Sequence, residues 1–275
     1  MRIVVLGSGA ADYDMSRTCR CKVCSAARKR GGRNVRTYAS AWVEPDLLID
    51  CGPTCHERLC ALGDAPVVRH VVVTHSHGDH CDAEALAAVA RDFAPDGELR
   101  VYGNGNSLEK LAADCDECGL LPPAEMHVLR EGKTRKTGRF TTLALPANHS
   151  RAHEDTLIFA ISDGPRSLLY AADTAWPLDE AWNLLAEADL DLAIVEATFG
   201  YLSAGDHPDL MTQHLNFEEA ERLMCTLRER GLLKPDAPFV LTHISQHYVP
   251  PHDDIEPDIA SRAMTLAYDG MEIEI

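Results

Sequence analysis

Thr74-His75-Ser76-His77-Gly78-Asp79-His80 directly follows the apolar run Val71-Val72-Val73. Three imidazoles and one carboxylate, all able to bind metal ions, stand here within six residues. A strand that ends at this point can splay these side chains in different directions, and the donor set suits zinc, manganese or iron. The alternative is a polar turn with a chance run of histidines in a chain that has 13 of them. We favour a metal site, and two ions would need further ligands from elsewhere in the chain.

Short apolar, β-branched runs recur along the chain and predict strands that alternate with helices. Strands are predicted at 2–6, 47–50, 67–74, 99–102, 140–145, 156–161, 167–171, 190–195 and 238–242. Helices are predicted at 82–92, 107–118, 178–186 and 216–230. The closing segment 264–275 alternates about Asp269-Gly270 and predicts a hairpin. Most residues that can bind metal follow a strand, in loops, where functional side chains concentrate.

Length, composition and charge narrow the class of protein. The 275 residues, 45% of them hydrophobic, can bury a substantial core, and no linker, repeat or low-complexity tract divides them, so we expect one domain spanning 1–275. With 26 basic and 43 acidic residues the net charge is −17, which repels phosphate backbones and argues against nucleic-acid binding.

The first residues carry only a short apolar run, Ile3 to Leu6, before Gly7. This run is far shorter than a signal-peptide core or a membrane span, so a cytoplasmic protein without a membrane partner is expected. The ten cysteines are then expected to remain thiols, either buried or bound to metal.

The histidine-rich stretch resembles the His-x-His-x-Asp-His signature of the metallo-β-lactamase superfamily, and further matches follow in that family's order. Asp50 resembles the aspartate that closes an early strand, His149 the histidine of the third motif, Asp173 the bridging aspartate and His243 the final ligand. The resemblance extends to about His247. It implies an α/β (α+β) fold, the αββα four-layer sandwich, in which two mixed sheets lie face to face with metals at one edge.

The same resemblance implies a dinuclear site with seven protein ligands. One metal ion would be held by His75, His77 and His149, the other by Asp79, His80 and His243, and Asp173 with a water would bridge the pair. His153 is an alternative to His149 as the ligand. Asp173 could instead cap the helix that is predicted to follow it. We interpret Asp50 as a group that orients the metal loop rather than as a ligand.

A second cluster, Cys19, Cys21 and Cys24, places three thiols within six residues, close enough for one tetrahedral zinc. The alternative is three free surface thiols, a redox liability. The cluster resembles the branch that contains the phosphoribosyl cyclic phosphate phosphodiesterase of phosphonate breakdown, where the zinc is structural. In that branch a histidine soon after the last catalytic ligand completes the site. Here His247 is the best match and His252 is its rival.

The remaining cysteines receive structural interpretations. Cys115 and Cys118 form an isolated Cys-x-x-Cys in a helical pattern, which we interpret as structural or incidental. Small core positions are expected for Cys51, Cys55, Cys60, Cys81 and Cys225.

Two divalent ions about 3.5 to 4 Å apart would turn a bridging water into hydroxide and neutralise charge on an attacked phosphoryl or carbonyl group. Asp79 and His214 are the candidate catalytic residues. His214 stands just before a predicted helix and there resembles the histidine of phosphodiesterases that protonates the leaving group. The alternative is that His214 is a solvated residue beside a helix cap formed by Asn216 and Glu219. His207 is a weaker candidate for substrate contact.

The leading hypothesis is a phosphodiesterase that cleaves a small cyclic phosphate, such as 5-phosphoribosyl 1,2-cyclic phosphate, with two Mn or Zn ions and one structural Zn. In place of the Gly-x-Pro turn of that branch, this chain has Tyr13-Asp14-Met15-Ser16, so the substrate pocket can differ. The basic residues that could contact a phosphate group are Arg17, Arg20 and Arg36. Ribonuclease Z-like RNA processing is an alternative that the negative net charge of the protein disfavours. Further alternatives are hydrolysis of an ester, amide or lactone and a non-catalytic role in a pathway. The relatives also imply a homodimer.

Overall fold

Two mixed β-sheets pack face to face in the computed structural model, which describes residues 1–63, 66–203, 205–206 and 212–275. The first sheet contains β1 (Arg2–Gly7), β2 (Ser40–Val43), β3 (Leu47–Ile49), β4 (His70–Val72), β5 (Arg100–Gly103), β6 (Glu125–Val128) and β14 (Met271–Glu274). The second contains β7 (Thr134–Thr137), β8 (Phe140–Pro146), β9 (Leu157–Ser162), β10 (Ser167–Ala171), β11 (Leu192–Glu196), β12 (Phe239–Thr242) and β13 (Thr265–Leu266).

The two sheets share one pattern of strand pairing. The first sheet runs in the order β14-β1-β2-β3-β4-β5-β6, antiparallel as far as β3 and parallel from there to β6. The second runs in the order β7-β8-β9-β10-β11-β12-β13, antiparallel as far as β10 and parallel beyond it. Parallel neighbours end at the same edge, so loops that follow these strands are brought together.

Eight α-helices lie within the described residues. They are α1 (Tyr13–Thr18), α2 (Lys22–Arg30), α3 (Cys55–Cys60), α4 (Ala83–Phe93), α5 (Gly105–Cys118), α6 (Asp179–Leu184), α7 (Phe217–Glu229) and α8 (His252–Ser261). The side chains of Asp82, Asn104 and Asn216 accept backbone N–H bonds and so begin α4, α5 and α7. Within the described ranges, no helix is long and apolar enough to cross a membrane.

Three apolar clusters define the layers. One lies between the sheets and includes Val72, Phe159 and Tyr170. A second packs α3, α4 and α5 against the outer face of the first sheet, and a third packs α6, α7 and α8 against the outer face of the second. The αββα sandwich predicted from the sequence is therefore confirmed.

The predicted C-terminal hairpin is wrong. β13 pairs with β12 in the second sheet, whereas β14 pairs with β1 in the first. The turn at Asp269-Gly270 therefore crosses between the sheets, and the Asp269 carboxylate accepts hydrogen bonds from the backbone and hydroxyl groups of Ser8 and Thr37. Alternating apolar residues are equally typical of two strands that pair with different neighbours.

Two cysteines expected in the core, Cys60 and Cys225, are exposed. Both occupy helices, and each stands on the solvent side of its helix, away from the buried stripe. Cys51, Cys55 and Cys81 are buried as expected.

Candidate metal centre

Every side chain predicted to bind the two catalytic metals lies just beyond the carboxyl end of a strand, at one edge of the sandwich. Residues 75–80 follow β4, His149 follows β8, Asp173 follows β10 and His243 follows β12. The fold thus assembles at one place groups that are up to 168 positions apart in the sequence (243 − 75).

The first group consists of His75, His77 and His149, whose ligand atoms all lie within 4.8 Å of one another. His75 Nε2 and His77 Nδ1 are 2.9 Å apart, and His149 Nε2 lies 3.4 Å from the same His77 atom. His153, the sequence rival of His149, is exposed and lies outside this group.

The second group consists of Asp79, His80 and His243. Asp79 Oδ2 lies 3.1 Å from His80 Nε2 and 3.7 Å from His243 Nε2. Asp173 stands between the two groups: its Oδ2 is 2.7 Å from His80 Nε2 and 3.0 Å from His243 Nε2, while its Oδ1 is 3.8 Å from His149 Nε2. Each oxygen of this carboxylate therefore faces one group.

Three atoms at the centre of the cluster are buried without a hydrogen-bond partner among the described residues. They are His80 Nε2, His243 Nε2 and Asp173 Oδ2, and the short contacts between them are not aligned as hydrogen bonds. Leaving a buried polar atom unpaired costs about 1–3 kcal/mol. Unpaired nitrogen and oxygen lone pairs that converge on one point fit a divalent cation.

The charges within the cluster also suit metal binding. Burial, followed by the charge of His80, lowers the pKa of His75 well below its usual value, and burial lowers the pKa of His149. Burial opposes ionisation of Asp79 and Asp173, but the neighbouring histidines outweigh it and hold the pKa of both carboxyls well below the usual range. The carboxylates are therefore ionised and His75 and His149 neutral, as metal ligation requires. Asp79, Asp173 and Asp50 outweigh burial and raise the pKa of His80 well above its usual value, and a bound cation would take the place of that proton.

Hydrogen bonds from a surrounding layer hold the rings in place. The Asp50 carboxylate lies 2.8 Å from His80 Nδ1 and accepts from the backbone N–H of Thr74. Thr198 Oγ1 lies 2.8 Å from His243 Nδ1, and the Gln213 carbonyl lies 3.2 Å from His149 Nδ1. Because these contacts engage Nδ1, they leave Nε2 of each ring facing the centre.

Glu154 and Thr198 are supporting residues that the sequence analysis missed. Glu154 is buried and accepts hydrogen bonds from the backbone N–H and hydroxyl of Ser76, which stands between His75 and His77. The only local signal at Glu154 is an acidic residue shortly before a predicted strand, which is too common to single it out.

The backbone is strained at the same edge. Among described non-glycine residues, positive φ values occur at Asp50 (59°), Ser150 (49°), Asp173 (52°) and His243 (51°), and elsewhere at Ala263. Such conformations cost of order 1–3 kcal/mol and cluster at functional sites. Gly52 lets the backbone after β3 lie directly against the backbone of Asp79, because a Cβ at this position would lie 1.9 Å from the Asp79 carbonyl oxygen.

His214 lies beside the metal groups and is held by Glu196, a buried residue at the end of β11 that the sequence analysis also missed. His214 Nδ1 is 2.8 Å from Glu196 Oε1 and 3.7 Å from Asp173 Oδ1. Glu196 further accepts from the backbone N–H groups of Thr174 and Leu215. Burial lowers the pKa of His214, but the charge and hydrogen bond of Glu196 prevail and raise it to about 9.

The structure bears on two capping alternatives. Asn216 does cap α7 by accepting from the backbone N–H of Glu219, but the His214 side chain beside this cap is only 15% exposed and contacts Glu196. Asp173 lies well before Leu178, the residue that precedes α6, and its side chain faces the metal groups instead.

The three N-terminal cysteines meet His247. Its Nδ1 lies 3.5 Å from Cys19 Sγ, 3.8 Å from Cys21 Sγ and 3.6 Å from Cys24 Sγ. Sulfur and nitrogen on a tetrahedral zinc, with bonds of about 2.3 and 2.1 Å, are about 3.6 Å apart. The cluster therefore has the dimensions of a Cys₃His zinc site. His252 lies elsewhere, with Nδ1 3.2 Å from Arg36 Nη2.

Other candidates stand apart from these sites. Arg36 is buried and donates to Ser8 and to the carbonyl of Ala267, so it is not available to a substrate. Cys115 is buried, Cys118 is exposed, and neither belongs to a metal-type group in the part of the chain that the structure describes. His207 lies outside the described residues.

A family model described as a beta-lactamase superfamily domain matches residues 46–244, which include all seven predicted ligands of the dinuclear site. The chain belongs to the metallo-β-lactamase superfamily. This superfamily is one of metal-dependent hydrolases. Comparison with curated proteins finds no match.

Solved structures share the metallo-β-lactamase fold along the whole chain. A diphosphatase from the PhnP family is 20% identical, with a TM-score of 0.78, covering 100% of this chain and 97% of that one. Zn²⁺-bound PqqB from Methylobacterium extorquens is 18% identical, with a TM-score of 0.75 and full coverage of both chains (100% each). The short form of human tRNase Z is 19% identical, with a TM-score of 0.67, covering 100% and 99%.

Proposed function

We propose that this protein is a dinuclear metal-dependent phosphodiesterase that acts on a small, preferably cyclic, phosphate ester. The observation that carries the proposal is the position of Asp173 between two groups of metal ligands, with His214 directly beside it. The likeness to a diphosphatase from the PhnP family supports phosphate chemistry.

The distances support the ligand sets that the family resemblance implies. His75, His77 and His149 would hold one ion, Asp79, His80 and His243 the other, and Asp173 both. When bound, the two ions would activate a water and offset the negative charge of a phosphoryl group.

The chain itself supplies the proton for the leaving group. Glu196 engages Nδ1 of His214, so Nε2 is the atom that would donate the proton, and the charge of Glu196 favours the protonated ring. His214 then gives its proton to the leaving oxygen, which is the part of the reaction that a general acid accelerates.

The surroundings favour a small substrate. A cavity of about 230 Å³ opens beside His149 and is lined by Asn148, Ser150, Arg151, Ala152, His153, Thr212 and Gln213. A larger cavity of about 670 Å³ lies far from the cluster, against Arg2 and Trp42, and is not part of the site. The net charge of −17 disfavours a long polyanion such as tRNA.

Elemental analysis of purified protein, combined with assays on bis(p-nitrophenyl) phosphate and a cyclic phosphate, tests the proposal. We expect three metal ions per chain, counting the cysteine site, and turnover of both esters. Three metals without cleavage of any phosphate ester would reject the substrate class and direct attention to esters, amides and lactones. One metal or none would overturn the ligand assignment.

We further propose that the cysteine cluster holds a structural zinc that joins the N-terminal segment to the loop after His243. Asp12 supports the same junction, because its carboxylate accepts from the backbone N–H of His247 and the hydroxyl of Ser245. Cys21→Ala should lose one zinc per chain and lower the melting temperature by several degrees, since structural zinc contributes directly to folding energy.

Cys60→Ala is the matched control for this prediction, because Cys60 is an exposed cysteine outside the cluster. It should keep the full zinc content and melting temperature. Metal analysis and thermal unfolding check both variants, and an unchanged zinc content in Cys21→Ala would count against the site.

A further inference from the structure

A short basic segment connects the two sheets of this acidic protein. Residues 130–139 contain five of the 26 basic residues and only one acidic residue, Glu131, whereas the whole chain carries a net charge of −17. The segment begins two residues after β6 and includes β7. All five basic residues are exposed, and they are Arg130, Lys133, Arg135, Lys136 and Arg139. The segment therefore presents concentrated positive charge on a protein that is negative overall.

Three of these cations line one cavity. It has a volume of about 150 Å³, lies between the end of β6 and the start of β7, and is lined by Val128, Leu129, Arg130, Lys133, Thr134 and Arg135. None of these described lining residues is acidic. A water molecule takes up about 30 Å³ in the liquid, so the cavity has room for a tetrahedral oxyanion and part of its hydration shell.

Two of the cations in the cavity have no counter-charge. The side chains of Arg130 and Lys133 make no hydrogen bond or ion pair within the part of the chain that the structure describes. The acidic residue between them, Glu131, is bound instead by Arg151. The positive charges of Arg130 and Lys133 are thus left for an anion to neutralise.

Arg135, the third cation of the cavity, is held in place by uncharged rings. Its Nη2 donates to His127 Nδ1 over 2.8 Å, and its Cζ lies 5.8 Å from the centre of the Tyr102 ring. The His127 ring stacks on the same tyrosine, with centroids 4.9 Å apart. A guanidinium that is already oriented loses less conformational entropy on binding, and its planar fork matches the oxygens of a phosphate.

We propose that Arg130, Lys133 and Arg135 form a binding site for a phosphate group, separate from the metal centre. Guanidinium and ammonium groups bind phosphate through charge-assisted hydrogen bonds. The negative charge of the whole protein repels a long polyanion, whereas three cations around one cavity attract a small one. The ligand is therefore inorganic phosphate or the phosphate monoester of a small molecule. The site goes beyond the proposed function, since none of its residues belongs to the metal groups.

Protection of a sheet edge is the alternative role for this positive charge. β7 is the edge strand of the second sheet, and lysine on an edge strand opposes pairing with other chains. This role accounts for Lys136, which lies within β7 and donates to Thr141 Oγ1. It does not account for Arg130 and Lys133, which precede the strand and line the cavity.

Calorimetric titration of the metal-loaded protein with inorganic phosphate tests the site. Lys133→Ala should weaken one class of phosphate binding about tenfold, at the lower end of the strength of a hydrogen bond to a charged group. Lys136→Ala is the matched control, because it removes the same charge from an exposed lysine outside the cavity. It should change the affinity by no more than about twofold. No loss in Lys133→Ala, or equal losses in the two variants, would overturn the site.

Asp173→Asn separates this site from the proposed function. In that variant, whose metal centre is impaired, the phosphate binding that depends on Lys133 should remain. Its disappearance would overturn a site separate from the metals. If the wild type hydrolyses no phosphate ester, the proposed function fails, while phosphate binding that Lys133→Ala weakens and Lys136→Ala does not still supports the site.

Titration with ribose 5-phosphate distinguishes the two sources of the phosphate group. Tighter binding of ribose 5-phosphate than of inorganic phosphate, dependent on Lys133, identifies a phosphorylated small molecule as the ligand. Equal or weaker binding identifies inorganic phosphate. Tight binding of a single-stranded oligonucleotide that Lys133→Ala and Lys136→Ala weaken equally would replace the small-anion site by a nucleic-acid surface.

Discussion

Asp173→Asn is expected to lower hydrolysis of bis(p-nitrophenyl) phosphate by roughly a hundred- to a thousandfold, the loss typical of removing one preorganised electrostatic group from a site. It should also bring the metal content of the dinuclear site well below two ions per chain. The reason is geometric: the two oxygens of Asp173 face different ligand groups, and one amide cannot replace both as a charged ligand. Metal analysis and steady-state kinetics measure the two effects.

Asparagine is the substitution of choice because Asp173 has a φ of 52°, a left-handed conformation that asparagine tolerates and alanine adopts at a cost. The variant should therefore fold. Asp191→Asn provides the control, since Asp191 is also a buried aspartate but pairs with Arg166 and Lys234, away from the cluster. It should retain metals and activity. If Asp173→Asn kept both metals and full turnover, a bridging role would be excluded.

The parts of the site that could be predicted are those with a contiguous signal. Residues 75–80 place four metal-binding side chains directly after an apolar strand, and such a pattern has few other physical explanations. His149, Asp173 and His243 were found because each also follows a strand and because their order matched a known family. The ends of these strands meet at one edge of the sandwich, so residues that each follow a strand lie close together in space.

The parts that could not be predicted depend on partners far away in the sequence. Glu154 binds Ser76 across 78 positions, and Glu196 binds His214 only because α7 begins beside the end of β11. Isolated glutamates after or before a strand carry no periodic signal. The wrong hairpin has the same origin, since alternation in 264–275 reports a strand but not which sheet it joins.

His214→Ala is expected to leave the metal content unchanged while lowering kcat by about 10²- to 10⁴-fold for a phosphodiester with a poor leaving group, the usual contribution of a general acid. For bis(p-nitrophenyl) phosphate the loss should be much smaller, because p-nitrophenolate departs without protonation. A comparison of aryl and alkyl esters therefore separates proton donation from a merely structural role. His127→Ala, at a histidine that contacts Glu125 and Arg135 away from both metal groups, should alter neither rate.

Glu196→Gln completes the argument, because it removes the charge that favours protonated His214 while keeping the shape of the side chain. It should reproduce the leaving-group dependence of His214→Ala in weaker form. Since the two residues act as one unit, the double variant should be no slower than His214→Ala alone. Two results would show that His214 acts through packing and not as the proton donor. One is a double variant whose loss in kcat equals the product of the two single losses, and the other is an equal loss on aryl and alkyl esters.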